Sequence, residues 1–215
     1  MKQPTVNNYE KWCQEWQERF LTLDQNILLR KLPELTIEGD YLILFYFHQK
    51  YGIHRTTGQI ICMEHQKPLS TYTRLNIYTL LWYCQESACF QHNWMPFKNL
   101  KDASPFGPAF QKTILDVFSS TFSGHMQELT HAMEQLGAQK LPHSDAGYQL
   151  NAFSCIPMRF LFWDGDDEFP AQSNILFDKS ATDFIHVESL VTIADEALTR
   201  IAELAGIPIK GKTFS

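Results

Sequence analysis

The chain has 215 residues, 44% of them hydrophobic and 20% charged, which is enough apolar material for a real core and excludes a disordered tail. A net charge of -6 with no dense Lys/Arg run excludes a general nucleic-acid binder, because phosphate contacts need a basic face. No apolar run approaches the ~20 residues of a membrane helix, so no membrane partner is expected.

The first predicted element is a helix over residues 8–32. Trp12, Trp16, Phe20, Leu23, Ile27 and Leu28 recur at helical spacing, Asn7 or Asn8 supplies a cap, and Pro33 ends it. From Leu35 the period shortens. Glu38-Gly39-Asp40 turns the chain, 41–48 is aromatic and β-branched, 51–54 resumes after a short break, and Thr57-Gly58 leads into 59–62. That pattern predicts an antiparallel meander of three or four strands.

Ser70 or Thr71 opens a second helix to about Gln85, with Leu75, Tyr78, Leu81 and Trp82 on its buried side. Residues 93–108 read as a loop broken by Pro96, Pro105, Gly107 and Pro108. Two more helices follow, near 109–121 and 127–136, the second closed by Gly137. Residues 148–155, 158–163 and 174–177 form a second strand set, and 187–205 is a long C-terminal helix. The order gives an α+β fold: one domain over 1–215 with two antiparallel strand sets and packed helices, rather than a doubly wound sheet.

The five cysteines (Cys13, Cys62, Cys84, Cys89, Cys155) are odd in number and scattered. The N-terminal residues contain no apolar signal region. Both points predict free thiols in a reducing cytoplasm. Cys84, Cys89 and His92 stand at C-x4-C-x2-H, a spacing too loose for zinc without a fourth ligand from Cys62 or His65. Two small buried thiols and a surface His explain it as well. No nucleophile elbow, phosphate-binding Gly loop or dinucleotide fingerprint occurs.

One segment stands apart. Between two apolar runs the chain reads Phe162-Trp-Asp-Gly-Asp-Asp-Glu-Phe-Pro170, with four carboxylates around one glycine. A turn needs Gly and Asp for its backbone angles, but it does not need four acids. An EF-hand loop is excluded because its closing ligand position is Ile175. Three readings stay open: a solvated acidic turn, a cation site of another kind, or a docking surface. Trp163 and Phe169 bracket the acids, and an aromatic wall beside carboxylates suits a cationic group. The ligand-binding candidates are therefore Trp163, Asp164, Asp166, Asp167, Glu168 and Phe169, with Trp94 as a converging aromatic. Trp163 and Pro170 are expected to pack inward and anchor the loop ends.

These residues, with Asn174-Ile-Leu-Phe-Asp178, Phe184-Ile-His-Val-Glu188 and the Trp94-Met-Pro-Phe-Lys-Asn-Leu stretch, resemble the family known as domain of unknown function 3786. The similarity spans roughly 35–190. The resemblance implies a protein of anaerobic bacteria or archaea. Some members of that family carry an added iron–sulfur domain like that of corrinoid iron–sulfur proteins, whereas this chain has no four-Cys run. The family carries no assigned activity. A surface without a nucleophile–base pair favours a binding or accessory protein whose loop holds a small molecule or docks on a redox or corrinoid-type protein partner. The corrinoid link comes by analogy from those fusions. The alternative is a metal-assisted or general acid/base enzyme using the same carboxylates, with His54 or His186 nearby. No cofactor, reaction or oligomeric state follows from the sequence.

Overall fold

The computed structural model describes the backbone of residues 8–211 and side chains from Glu10 onward; of the expected cap residues, Asn7 lies outside the described residues and Asn8 is the first residue of the helix. The first helical stretch is two helices, not one: α1 (Asn8–Leu21) and α2 (Gln25–Lys31). Apolar spacing runs through the break, but Asp24 leaves the helical region. Its carboxylate accepts the Asn26 and Ile27 N–H groups at 2.8 and 3.3 Å. A local cap outcompetes continuation of the helix.

Strands β1 (Thr36–Glu38), β2 (Tyr41–Tyr46), β3 (Gln49–His54) and β4 (Ile60–Cys62) form an antiparallel meander in sequence order. The β2–β3 turn falls at Phe47-His48, earlier than the break expected after His48. Both residues have positive φ, 47° and 61°, as a two-residue hairpin turn with the right twist requires. Phe47 is held in that conformation by tertiary contacts: it is buried, and its N–H donates to Ala152 O at 2.8 Å on the second sheet.

Helix α3 (Thr71–Tyr83) starts where expected, with Ser70 Oγ accepting the Thr73 N–H at 2.9 Å. Tyr78 and Leu81 are buried, but Trp82 is 37% exposed and meets Trp16 edge-on at 6.1 Å. Helix α3 instead buries Thr73 and Asn76 against a polar network described below, and Thr79, whose hydroxyl lies 3.0 Å from that of Ser189.

The second sheet has the order β5-β9-β8-β7-β6, all antiparallel: β5 (Trp94–Pro96), β6 (Gln139–Leu141), β7 (Ala146–Phe153), β8 (Ile156–Trp163) and β9 (Gln172–Asp178). The expected loop at 94–96 is thus an edge strand, where a proline is tolerated because the outer side needs no N–H donor. Between β5 and β6 lie α4 (Gly107–Phe110), a π turn (Gln111–Leu115), α5 (Asp116–Phe122) and α6 (Met126–Gln135). The π turn is fastened to β9, since Leu115 O accepts the Ser173 hydroxyl at 2.8 Å. Short α7 (Ala181–Phe184) precedes α8 (Val187–Ala205), which has the expected bounds and ends at Gly206 with φ 68°.

The fold is α+β with two antiparallel sheets, and its buried apolar residues, Cys13 and Ile43 apart, form one contiguous cluster. Much of the aromatic content is core: Phe97 stacks on Phe110 at 4.1 Å, and Phe118, Phe160 and Phe162 pack together. Among the described residues no helix is long and apolar enough to cross a membrane.

Two predictions follow from this architecture. His48 is exposed at φ 61°, so His48→Gly should raise stability by about 0.5–1 kcal/mol, the left-handed penalty less the entropy cost of glycine. Chemical denaturation checks this, and a loss of stability would show that the turn is not strained. The cysteines are free thiols; Cys89 is exposed, while burial pushes Cys84 up to about 11 and raises Cys13 and Cys155. At pH 8 a thiol reagent should titrate Cys89 rapidly and all five only after denaturation.

Candidate functional site

The acidic segment is the β8–β9 connection, and Trp163 opposite Gln172 is its last strand pair. Asp164 N–H donates to Asp145 Oδ2 at 2.9 Å, while Asp164 Oδ1 accepts the Gly124 and Gly165 N–H groups at 2.9 and 2.8 Å. Asp166 Oδ1 accepts the Glu168 and Phe169 N–H groups at 2.9 and 2.7 Å, and Asp166 N–H donates to Phe169 O at 2.9 Å. Bonds from Phe169 and Glu168 hold the Asp166 carboxyl below its ordinary pKa. Gly165 is required by space, since a Cβ there would sit 2.9 Å from Ala171 N. Two of the four acids therefore build the turn, as Asp does in Asx turns.

Asp167 and Glu168 are exposed beside them, and Phe169 is 62% exposed. The inward packing expected of Trp163 and Pro170 is not observed; both are exposed. Strand alternation explains Trp163: Phe160 and Phe162 face the core, so the next residue must face outward.

Trp94 is not part of this constellation. It pairs with Asp178, at the end of β9 remote from the loop. The six residue steps from Gln172 separate the two ends by ~20 Å. The face of Trp94 is covered by the Arg159 guanidinium at 3.9 Å. His54 Nδ1 accepts the Thr56 and Thr57 N–H groups at 3.4 and 3.3 Å, and His186 Nδ1 caps α8 by accepting the Glu188 N–H at 3.3 Å. Cys84 is buried and Cys89 exposed. Among the described residues no three His, Cys, Asp or Glu side chains converge as a metal-holding group.

Two polar centres escaped the sequence reading. Asp178 is buried and accepts the Gln91, Asn93 and Ser180 N–H groups at 3.1, 2.8 and 3.0 Å, together with the Ser180 hydroxyl. Burial pushes its carboxyl up, but the bonds from Ser180, Gln91 and Asn93 together hold it below its ordinary pKa.

The other centre is Glu196 on α8. Its Oε2 accepts Tyr46 Oη at 2.6 Å and Asn76 Nδ2 at 3.1 Å; its Oε1 accepts Ser70 Oγ at 2.8 Å and Thr73 Oγ1 at 2.6 Å. Burial and the neighbouring Glu196 carboxylate push the Tyr46 hydroxyl well above its ordinary pKa, so it stays a donor. A signal was present in the sequence: a Glu stands between Ile193-Ala194 and Ala197-Leu198, inside the apolar pattern of the longest helix.

Comparison with known families matches the chain, over residues 31–200, to the family described as Domain of unknown function (DUF3786), and the chain belongs to that family. No curated protein and no solved structure matches it.

The Asp178 centre yields a pH prediction. Its folded pKa lies below the unfolded value of about 4, so its contribution is complete above pH 4 and is lost as pH falls through the folded pKa. In Asp178→Asn an amide NH2 replaces one acceptor oxygen facing backbone N–H groups, which should cost about 1–3 kcal/mol at pH 7. Urea unfolding of both proteins from pH 7 to pH 2 should show the gap shrinking below pH 4. A gap independent of pH would refute the charge-based account.

Proposed function

We propose that the chain is a binding or accessory module that docks on a protein partner through the β8–β9 loop. Asp167, Glu168 and Phe169 are the contact residues, Trp163 extends the surface, and Asp164 and Asp166 maintain the turn. The observation that carries this reading is the 62% exposure of Phe169 on a turn fixed by two carboxylate caps. A single exposed apolar residue is ordinary. Here the ring is held out by an ordered turn, next to Asp167 and Glu168, whose carboxylates the turn does not use.

The complementary partner presents basic groups around an apolar recess. Charge would speed encounter, and the ring would supply the desolvated anchor. The domain fusions in this family suggest a redox or corrinoid-carrying protein as that partner, by analogy. The enzymatic alternative requires carboxylates able to exchange protons or take a metal. Asp164 and Asp166 each already accept two backbone N–H bonds, which favours docking.

The test is the triple variant Asp167→Asn, Glu168→Gln, Phe169→Ala. These side chains are exposed, so its melting temperature should stay within about 2 °C of the parent. Anaerobic affinity capture from extract of the source organism, compared side by side, should lose specific bands with the variant and with added salt. Bands that persist with the variant would sink the docking role of the loop.

A further inference from the structure

Glu196 lies on a polar stripe of α8 that continues one turn later as Arg200 and reaches Glu203. This stripe lines a cleft of about 580 Å³, with Gln49, Tyr51 and Lys67 on its other walls. Arg200 is the group whose arrangement implies a ligand. Its guanidinium carbon lies 5.0 Å from the Phe47 ring centre and 5.8 Å from that of Tyr46, and Nη1 donates to Gln49 Oε1 at 3.1 Å. The same oxygen accepts the Tyr51 hydroxyl at 2.9 Å. All these partners are neutral.

The missing counter-ion is informative because the sequence offers two. Glu four residues before Arg is the favoured helical ion pair, and Glu203 follows Arg200 by three. Neither pairs with it: the ion pairs among the described residues are Lys50–Glu38, Arg74–Glu10 and His125–Glu128. Glu196 cannot turn to Arg200, because its acceptor positions are taken by Tyr46, Asn76, Ser70 and Thr73. Arg200 is thus half-buried and oriented by an amide oxygen and two rings, with no carboxylate of the described residues in direct contact, and it faces a cleft large enough for a metabolite whose walls also carry Asp195 and Glu203. A pre-oriented guanidinium of this kind matches the two oxygens of a carboxylate.

We propose that this cleft binds a small organic carboxylate, with Arg200 as the anchor for its CO2⁻ group and Lys67 as a second, mobile cation. Glu203 on the same stripe would receive a donor group on the remainder of the ligand, which points to amino-acid-like carboxylates above simple acids. The site is independent of the β8–β9 loop and of the docking role proposed for it.

The test is calorimetric titration of the full chain at low salt with acetate, succinate, glycine and L-glutamate. Acetamide, succinamide and glycinamide serve as uncharged-head controls, and inorganic phosphate as a competing anion. At least one carboxylate should bind with unit stoichiometry while its amide does not. Arg200→Gln should weaken it ~tenfold or more, and Arg200→Lys, which keeps the charge but loses the planar fork, should weaken it less. Should Arg200→Gln prove unfolded, Lys67→Gln on the exposed connection must still weaken binding, and the carboxylate-against-amide comparison on the parent protein decides independently. No carboxylate binding at about 10 mM, the weakest affinity worth assigning to a site, would overturn the proposal. Equal binding of amides, binding of phosphate alone, or full affinity in Arg200→Gln would overturn it as well.

Discussion

A carboxylate inside the apolar face of a helix loses its hydration, a cost of several kcal/mol that is recovered only when donors fill its lone pairs. Glu196 meets that condition with four donors drawn from three places: the end of β2, the residue before α3, and the first two turns of α3. The position of each donor then constrains its own segment. Tyr46 must end β2 facing α8, so the hairpin turns at Phe47-His48 even at positive φ. Ser70 both caps α3 and supports Glu196, so the start of the helix and its rotation are set together. Tyr46 also packs on Phe153 at 4.6 Å, and Phe47 bonds to Ala152, which joins the meander to the five-stranded sheet. A partly satisfied version of this network would be worse than an apolar one, so its members act as a unit.

The same physics, applied to backbone N–H groups, explains where the other acids went. Asp24, Asp145, Asp164, Asp166 and Asp178 each accept backbone N–H groups that no strand or helix partner satisfies. An acid-rich motif between two strands is therefore partly a demand for acceptors at an irregular connection. Only the remainder, Asp167 and Glu168, is left to act on something outside the fold.

The long α8, the start of α3 and the four-stranded meander were legible because a cap, a period and a turn residue agree at each. The break at Asp24 was not, since the apolar spacing of Phe20, Leu23 and Ile27 continues through it while the decision is made by one side-chain oxygen. Strand β5 has three residues, one of them proline, and exists only because β9 offers an edge. The π turn likewise answers to Ser173, 58 residues away. At the loop, the acids were visible, but their division into turn-building and outward-facing groups depends on which N–H each carboxylate meets. Trp163 was a different case: the alternation of Phe160 and Phe162 already placed it outward. Arg200 could not be recognised at all, because its significance lies in the pairing with Glu196 that the fold prevents.

The ionisable groups with shifted pKa values bear on the kind of activity this fold favours. A general acid or base works best with a pKa near the working pH and a lone pair or proton free to move. Burial drives Tyr46, Cys155 and Cys84 away from neutrality, to about 11 in the last case, and Asp166 and Asp178 are held on the acid side by the bonds they accept. Glu196, the most buried carboxylate of the helical face, has no acceptor position left. Near pH 7 Tyr46, Cys84 and Cys155 therefore stay protonated and Asp166 and Asp178 ionised, whereas burial raises the Glu34 carboxyl beside Cys155. Arg200 in the cleft and the exposed Asp167 and Glu168 of the loop carry opposite charge. The carboxylate proposed for the cleft and the basic surface proposed for the loop would thus meet separate groups of opposite sign.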